Sequence, residues 1–340
     1  MTAQADTTIV VPVRRGNEFL PDRSYYAFPH ACPGKVSLTF TIGGIPVRVT
    51  GFDEVQAASL LHRHGIFCRR SETEDRPRME VSVRRAGRPA FLIVRADVDP
   101  GAPGGTTGPS EYYRIHTRWE TGALLATSYE WAASIDFTGA TGDLVLADSA
   151  LYGRAEFDRS LENFLRVVYS HLAIPANGFL LHSAGLVRSD RAFLFFGPSG
   201  AGKTTVTTLS PGAKVLSDDL TMVMRGDGNQ YAACSVPFRG LFAPRPESAA
   251  TYPLAGLFRL VQDTTDSLEP LDGAAAVGEV VGSLPFVMDR PEMAGAAIDT
   301  VSAVASQVPV FRLHFRKDTT FWRVLEDRVD GFRTGGGIKS

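Results

Sequence analysis

Residues 197–204 read Gly-Pro-Ser-Gly-Ala-Gly-Lys-Thr, with a second threonine at 205. Gly197, Gly200 and Gly202 can adopt backbone conformations closed to other residues, so successive N–H groups can turn toward one anion. Pro198, Ser199 and Ala201 complete the loop. Lys203 adds an ammonium group, and Thr204 and Thr205 add hydroxyls where a helix is expected to start. This is the composition of a phosphate cradle: Lys203 would reach the β- and γ-phosphates of ATP, and the Thr204 hydroxyl would ligate Mg²⁺. By average composition, a GxxxxGK[ST] pattern arises by chance in a chain of this length on the order of once in a hundred.

Two further clusters could complete a site. Asp218 and Asp219 are adjacent and follow Lys203 closely, after a short helix, a return at Pro211-Gly212 and the apolar stretch Lys214-Val-Leu-Ser217. In motor ATPases and GTPases the acidic partner of Mg²⁺ comes much later in the chain, so this spacing argues against those classes. Upstream, Phe179–Val187 reads as a strand joined to the next by Arg188-Ser-Asp-Arg191. A turn centred between Ser189 and Asp190 places His182 opposite Gly197, although a one-residue slip would send its side chain to the other face. Two carboxylates and an imidazole can divide the work of phosphoryl transfer. One Asp holds Mg²⁺, the other accepts the proton of an attacking hydroxyl, and His182 tunes that carboxylate. Asp218 as base and Asp219 as metal ligand is the preferred order, with the reverse left open.

The elements around these residues follow from hydrophobic periodicity. Ala192–Phe196 is a short apolar run ahead of the loop, and Lys203–Leu209 has helical character, giving the strand, loop and helix context the motif requires. Val36, Leu38, Phe40 and Ile42 alternate with polar residues, Gly43-Gly44 turns the chain, and Ile45, Val47 and Val49 alternate again: a hairpin. A second hairpin is expected over Met79–Arg95, a short helix over Asp53–His64, and strands over Tyr112–Trp119, Leu124–Phe137 and Leu144–Leu146. Pro100–Pro109 is a glycine-rich loop. His62 and His64 lie two apart on the expected helix and so face different ways. Ala155–Leu172 carries an apolar stripe of period near 3.6 and is expected to open a second domain.

Bulk properties narrow the function classes. The 340 residues are 44% hydrophobic and 21% charged, with a formal net charge of −2. That balance points to a globular chain and advertises neither nucleic acid nor an anionic membrane as partner. The arginines between Arg63 and Arg88 are interspersed with Glu72, Glu74, Asp75 and Glu80, as on a solvated mixed-charge surface. Cys32, Cys68 and Cys234 are widely spaced and lack a zinc or disulfide pattern. With neither a signal-peptide pattern nor an apolar run of membrane-spanning length, the expected setting is the cytoplasm.

Taken together, Leu181-His-Ser-Ala-Gly-Leu-Val187, Gly197–Thr205 and Leu216-Ser-Asp-Asp-Leu220 resemble, in order and spacing, the catalytic domain of HPr kinase/phosphorylase. Val236-Pro-Phe-Arg-Gly240, Leu268-Glu-Pro-Leu271, Val308-Pro-Val-Phe-Arg-Leu313 and Phe321-Trp322 are similar to later segments of HPr-kinase-related proteins of peptide-modification clusters, among them lasso-peptide precursor kinases. The longer acidic-and-arginine signature that follows the Asp pair in true HPr kinase/phosphorylases is not found here. The resemblance implies an α/β core shared with phosphoenolpyruvate carboxykinase over residues 151–333, a β-rich N-terminal domain over 1–150 that helps recognise substrate, and a flexible tail over 334–340. It implies catalytic roles for His182, Lys203, Asp218 and Asp219, and for Arg239, which would neutralise charge on the γ-phosphoryl group. The partner would be a protein or a ribosomally made precursor peptide bearing a Ser or Thr hydroxyl, and a homo-oligomer is compatible with the pattern. Two other readings stand beside it: a nucleotide-gated binding module that transfers nothing, and a small-molecule phosphotransferase on the same core.

Overall fold

The computed structural model describes residues 34–86, 115–128, 131–147, 154–238 and 249–334. The chain divides into two units, Met1–Thr41 with Pro46–Val168, and Ile42–Ile45 with Tyr169–Ser340.

The first unit is built on an eight-stranded sheet in the order β3-β1-β2-β4-β8-β7-β6-β5. Its strands are β1 (Val36–Ile42), β2 (Ile45–Phe52), β3 (Cys68–Arg70), β4 (Met79–Ala86), β5 (His116–Glu120), β6 (Ala123–Ser128), β7 (Trp131–Asp136) and β8 (Thr141–Ala147). The expected first hairpin is present: β1 and β2 are neighbours, and Gly43 and Gly44 both have positive φ (57° and 77°), the backbone a tight two-residue turn needs. Helix α1 (Glu54–His64) is closed at its start by a capping box between Asp53 and Gln56. As expected, His62 and His64 diverge, His62 exposed and His64 buried.

Two expectations for this unit change. β4 pairs in parallel with β2 and β8, and residues 88–95, the second arm of the expected hairpin, fall outside the described residues. The apolar stretch Leu124–Phe137 is two antiparallel strands, with Leu124 opposite Ile135, because an alternating pattern alone does not show where a chain reverses. The glycine-rich loop expected at Pro100–Pro109 also lies outside the described residues. Helix α2 (Arg154–Ala173) matches the expected apolar stripe. Its contacts through Val168 belong to the first unit, where Phe164 meets Trp131 edge to face and Glu162 pairs with Arg63 at 2.7 Å. The division therefore falls inside the helix, beyond the expected boundary at residue 150.

The second unit carries a nine-stranded mixed sheet with order β12-β10-β11-β15-β14-β13-β9, β17 joining β15 and β16 joining β17. The strands are β9 (Phe179–Leu181), β10 (Ser183–Arg188), β11 (Arg191–Phe196), β12 (Lys214–Ser217), β13 (Thr221–Arg225), β14 (Tyr231–Cys234), β15 (Thr251–Gln262), β16 (Ser267–Leu271) and β17 (Val310–Phe315). The helices are α3 (Lys203–Thr208), α4 (Gly273–Val281), α5 (Pro291–Ala305) and α6 (Phe321–Thr334). Residues 335–340, most of the expected tail, are outside the described residues.

Alternation along β11 shows why this sheet is covered on both faces. Leu194 and Phe196 join a cluster with Ala276 and Val280 of α4 and Ala297, Val301 and Val304 of α5. Phe193 and Phe195 join another with Val206 of α3 and Phe321, Trp322 and Leu325 of α6. A strand buried on both faces reads as a continuous apolar run, and Ala192-Phe-Leu-Phe-Phe196 is one. Aromatic rings fill the second layer, Phe258 stacking on both Phe195 and Phe311, at about 1.5–3 kcal/mol for each fully buried side chain. The Trp322 indole keeps its donor satisfied through Ser210 Oγ at 2.9 Å.

Candidate functional site

β11, β15 and β17 run parallel, with Phe196 beside Arg259 and Gln262 beside Phe315, so their carboxyl ends share one edge of the sheet. Ligands of open α/β sheets bind outside such ends. The glycine-rich loop leaves β11 at that edge, and the ends of β15 and β17 hold it. Gln262 Nε2 donates to the Gly200 carbonyl at 2.8 Å. The Phe315 ring packs so closely under Gly202 that a Cβ there would lie 2.7 Å from its Cζ. Gly202 also has φ 114°, and Gly197 φ 149°, so backbone and space both demand glycine.

Lys203 opens α3 and is buried, its Nζ donating to the carbonyls of Gly197 (2.8 Å) and Pro198 (3.3 Å). Burial lowers its pKa; Asp219 opposes that effect and Arg259 adds to it. The ammonium is thus folded back along the loop, near enough to Asp219 and Arg259 to feel both. Because α3 spans only six residues, any anion affinity rests on the loop amides and this ammonium more than on a helix dipole.

The expected single strand Phe179–Val187 is broken at His182. β9 pairs with β13, whereas β10 pairs with β11 and β12. The second break falls at Asp218-Asp219, which separate β12 from β13. Both sets of candidate residues therefore stand where the ribbon β10·β12 parts from β9·β13, and irregular backbone at such a point frees side chains from the ladder. The expected register holds, since Ser183 lies opposite Phe196, one step from His182 and Gly197. His182 N–H donates to the Ser283 carbonyl at 3.0 Å.

Within this break His182 Nε2 lies 3.5 Å from Asp219 Oδ1, with the imidazole about half exposed and the carboxylate mostly covered. Asp218 is buried. The imidazole thus meets Asp219, the carboxylate that the order preferred from sequence assigned to the metal. Ser217 anchors the turn: its hydroxyl donates to the Phe238 carbonyl at 3.0 Å and accepts from the N–H groups of Asp219 and Leu220. The Val236-Pro-Phe238 segment is thereby tied to the aspartate pair. Arg239 itself lies outside the described residues.

His182, Gly197–Ser199, Arg259, Glu279 and the turn Gly282–Pro285 enclose a cleft of about 390 Å³. Sequence reasoning missed Arg259 and Glu279, whose side chains pair at 3.0 Å in its wall. It also missed Gln262 and Phe315. Their roles depend on parallel pairing across more than fifty residues, for which no local pattern exists. A partial signal was present, because the flagged segments Leu268–Leu271 and Val308–Leu313 prove to pair, Leu268 opposite Leu313.

Among the described residues, no group of three or more His, Cys, Asp or Glu side chains is arranged to hold a metal. Mg²⁺ usually takes few protein ligands and completes its shell with phosphate oxygens and water, so a site for it does not require such a group.

Residues 159–330 match the family model for SynChlorMet cassette protein ScmC, just over half of the chain. The chain belongs to the ScmC family. No curated protein matches it. The segment shared with ScmC contains the loop, His182, Asp218-Asp219, Arg259 and Glu279, so the whole cleft lies inside the family's own sequence. Most of the first unit lies ahead of it.

Proposed function

We propose that this ScmC-family chain is an ATP-dependent phosphotransferase, moving the γ-phosphoryl group to a Ser or Thr hydroxyl of a protein or ribosomally made precursor peptide. The observation that carries this reading is the pairing of His182 with Asp219 at 3.5 Å in the break of the sheet, beside a glycine loop whose lysine is buried. A core like that of the HPr kinases fits the loop's place at the carboxyl ends of parallel strands.

Chemically, the loop amides and Lys203 bind the phosphates and spread their charge. Thr204 and one aspartate would hold Mg²⁺, which when bound neutralises charge on the phosphate oxygens. The acceptor hydroxyl approaches the break beside His182, where a carboxylate of the Asp pair takes its proton as the new P–O bond forms and the bond to ADP breaks. The His182 contact favours Asp219 for that proton and leaves Asp218 to the metal, the reverse of the order preferred from sequence. The family's description as a cassette protein supports seeking the acceptor among products encoded beside it. A cytoplasmic setting suits the two described cysteines, Cys68 and Cys234, both buried free thiols. Among the described residues no helix is long and apolar enough to cross a membrane.

The test is incubation with γ-labelled ATP, Mg²⁺ and peptides encoded nearby, comparing wild type with Lys203→Ala. Label on a peptide hydroxyl in wild type alone supports the reading. A wild-type protein that binds ATP and labels no peptide favours instead a nucleotide-gated binding module.

A further inference from the structure

The loop motif assigns no task to the guanidinium in the cleft wall. Arg259 stands on β15 beside Phe196, the last residue before the loop. Its Nη1 sits so close to Gly197 that a Cβ on that glycine would come within 2.9 Å. From within the loop, Lys203 donates to the carbonyl of the same glycine. An ammonium and a guanidinium thus converge on the residue where the loop begins.

Glu279 directs the guanidinium, accepting from Nε at 3.0 Å, while Nη1 donates to the Leu260 carbonyl at 2.6 Å. The same carboxylate also accepts from Arg312 Nη2 at 2.9 Å through its other oxygen, and Glu269 accepts from Arg312 Nη1 at 2.8 Å, so two arginines and two carboxylates form one network. The approach of Arg259 and Lys203 to the same glycine carries a Coulombic cost that a multiply charged anion would relieve. With Nε and Nη1 engaged, the guanidinium keeps Nη2 to meet a phosphate oxygen.

We infer that Arg259 contacts the terminal phosphoryl group of the bound nucleotide, with Glu279 as the positioning residue for its guanidinium. This rests on the phosphotransfer reading and adds to it a basis for telling a triphosphate from a diphosphate. Sequence reasoning gave the neutralising role to Arg239; Arg259 is the arginine in the cleft wall.

Calorimetric titration of the full chain with ATP and with ADP, in Mg²⁺, tests the inference without any acceptor. Arg259→Ala is expected to weaken ATP binding about 10- to 100-fold, the scale of a lost charge-assisted contact, and to leave ADP within about threefold. Arg259→Lys, which keeps the charge and guards against a folding defect in the alanine variant, should lose ATP affinity selectively but less. An ATP-to-ADP affinity ratio unchanged in both variants would overturn the role of Arg259 while leaving nucleotide binding intact. A wild-type chain that bound neither nucleotide would overturn the underlying reading, and this inference with it.

Discussion

Both units of this chain are organised around large sheets carrying arginine–carboxylate pairs, yet they spend their polar groups differently. In the first unit the pairs link strands to the loop that carries Asp75. Asp75 accepts from Arg69, from the Thr39 hydroxyl and from the Glu72 N–H, and Arg48 pairs with Glu80 at 2.7 Å while also donating to the Asp75 carbonyl. In the second unit a lysine is buried on two loop carbonyls, an imidazole stands beside a mostly covered carboxylate, and an arginine shares its partner with another arginine. The first pattern ties strands to a loop; the second gathers charged groups at the glycine-rich loop and the break in the sheet. Two glycines of the second unit, one in a hairpin turn and one in the loop, also differ. Gly44 has positive φ with nothing within 4 Å of where a Cβ would lie, whereas Gly202 has positive φ against the Phe315 ring.

The sharpest way to break this comparison is to remove charge from the aspartate pair. Asp219→Asn is expected to lower the rate of peptide phosphorylation by about 10²- to 10⁴-fold, with ATP affinity changed little, as for loss of a general base. Single-turnover kinetics beside a binding titration would check this, and a larger loss of rate in Asp218→Asn would restore the order preferred from sequence.

Gly202→Ala follows. Left-handed backbone and the Phe315 contact together should cost about 1–3 kcal/mol in stability and weaken nucleotide binding on the order of tenfold. Gly44→Ala should lower the melting temperature and leave nucleotide affinity at the wild-type value. Equal effects on binding would erase the distinction between a turn that shapes the chain and a loop that holds a ligand.

Smaller effects are expected in the first unit. Asp53→Ala removes the helix cap and the Arg85 partner, at about 1 kcal/mol in denaturant titrations, with no change in nucleotide affinity. Burial raises the Asp53 pKa, but bonds from the Gln56 N–H and from Arg85 outweigh it and hold the carboxyl below its ordinary 3.8. A depressed carboxylate contributes stability that is present above 3.8 and is lost as pH falls through its lower folded value. Wild type should therefore lose stability more steeply than Asp53→Ala below about pH 4, a difference that melting curves across acid pH would show.

How much of this was legible in the sequence depends on the range of the physics involved. The Gly43-Gly44 hairpin, the helix after Asp53, the strand before Gly197 and the register that brings His182 to Gly197 are set by turns and alternation within about twenty residues. The break at His182 was not legible, because Phe179–Val187 carries no turn residues at that point and only the exchange of strand partners divides it. Nor were Arg259, Gln262 and Phe315, which reach the loop through pairing of strands far apart in the chain. Helix α2 shows both sides of this limit. Its extent follows from periodicity, whereas its division at Val168 follows only from what each turn packs against.

The central claim is that the loop at Gly197–Thr204, through its amides and Lys203, binds a nucleotide. Equilibrium titration of the full chain with Mg·ATP, wild type against Lys203→Ala, tests it most directly. The account predicts saturable one-to-one binding in wild type and a loss of affinity on the order of a hundredfold in the variant, the worth of a charge-assisted contact at the phosphates. Equal affinities in the two proteins, or no saturable binding in either, would contradict it.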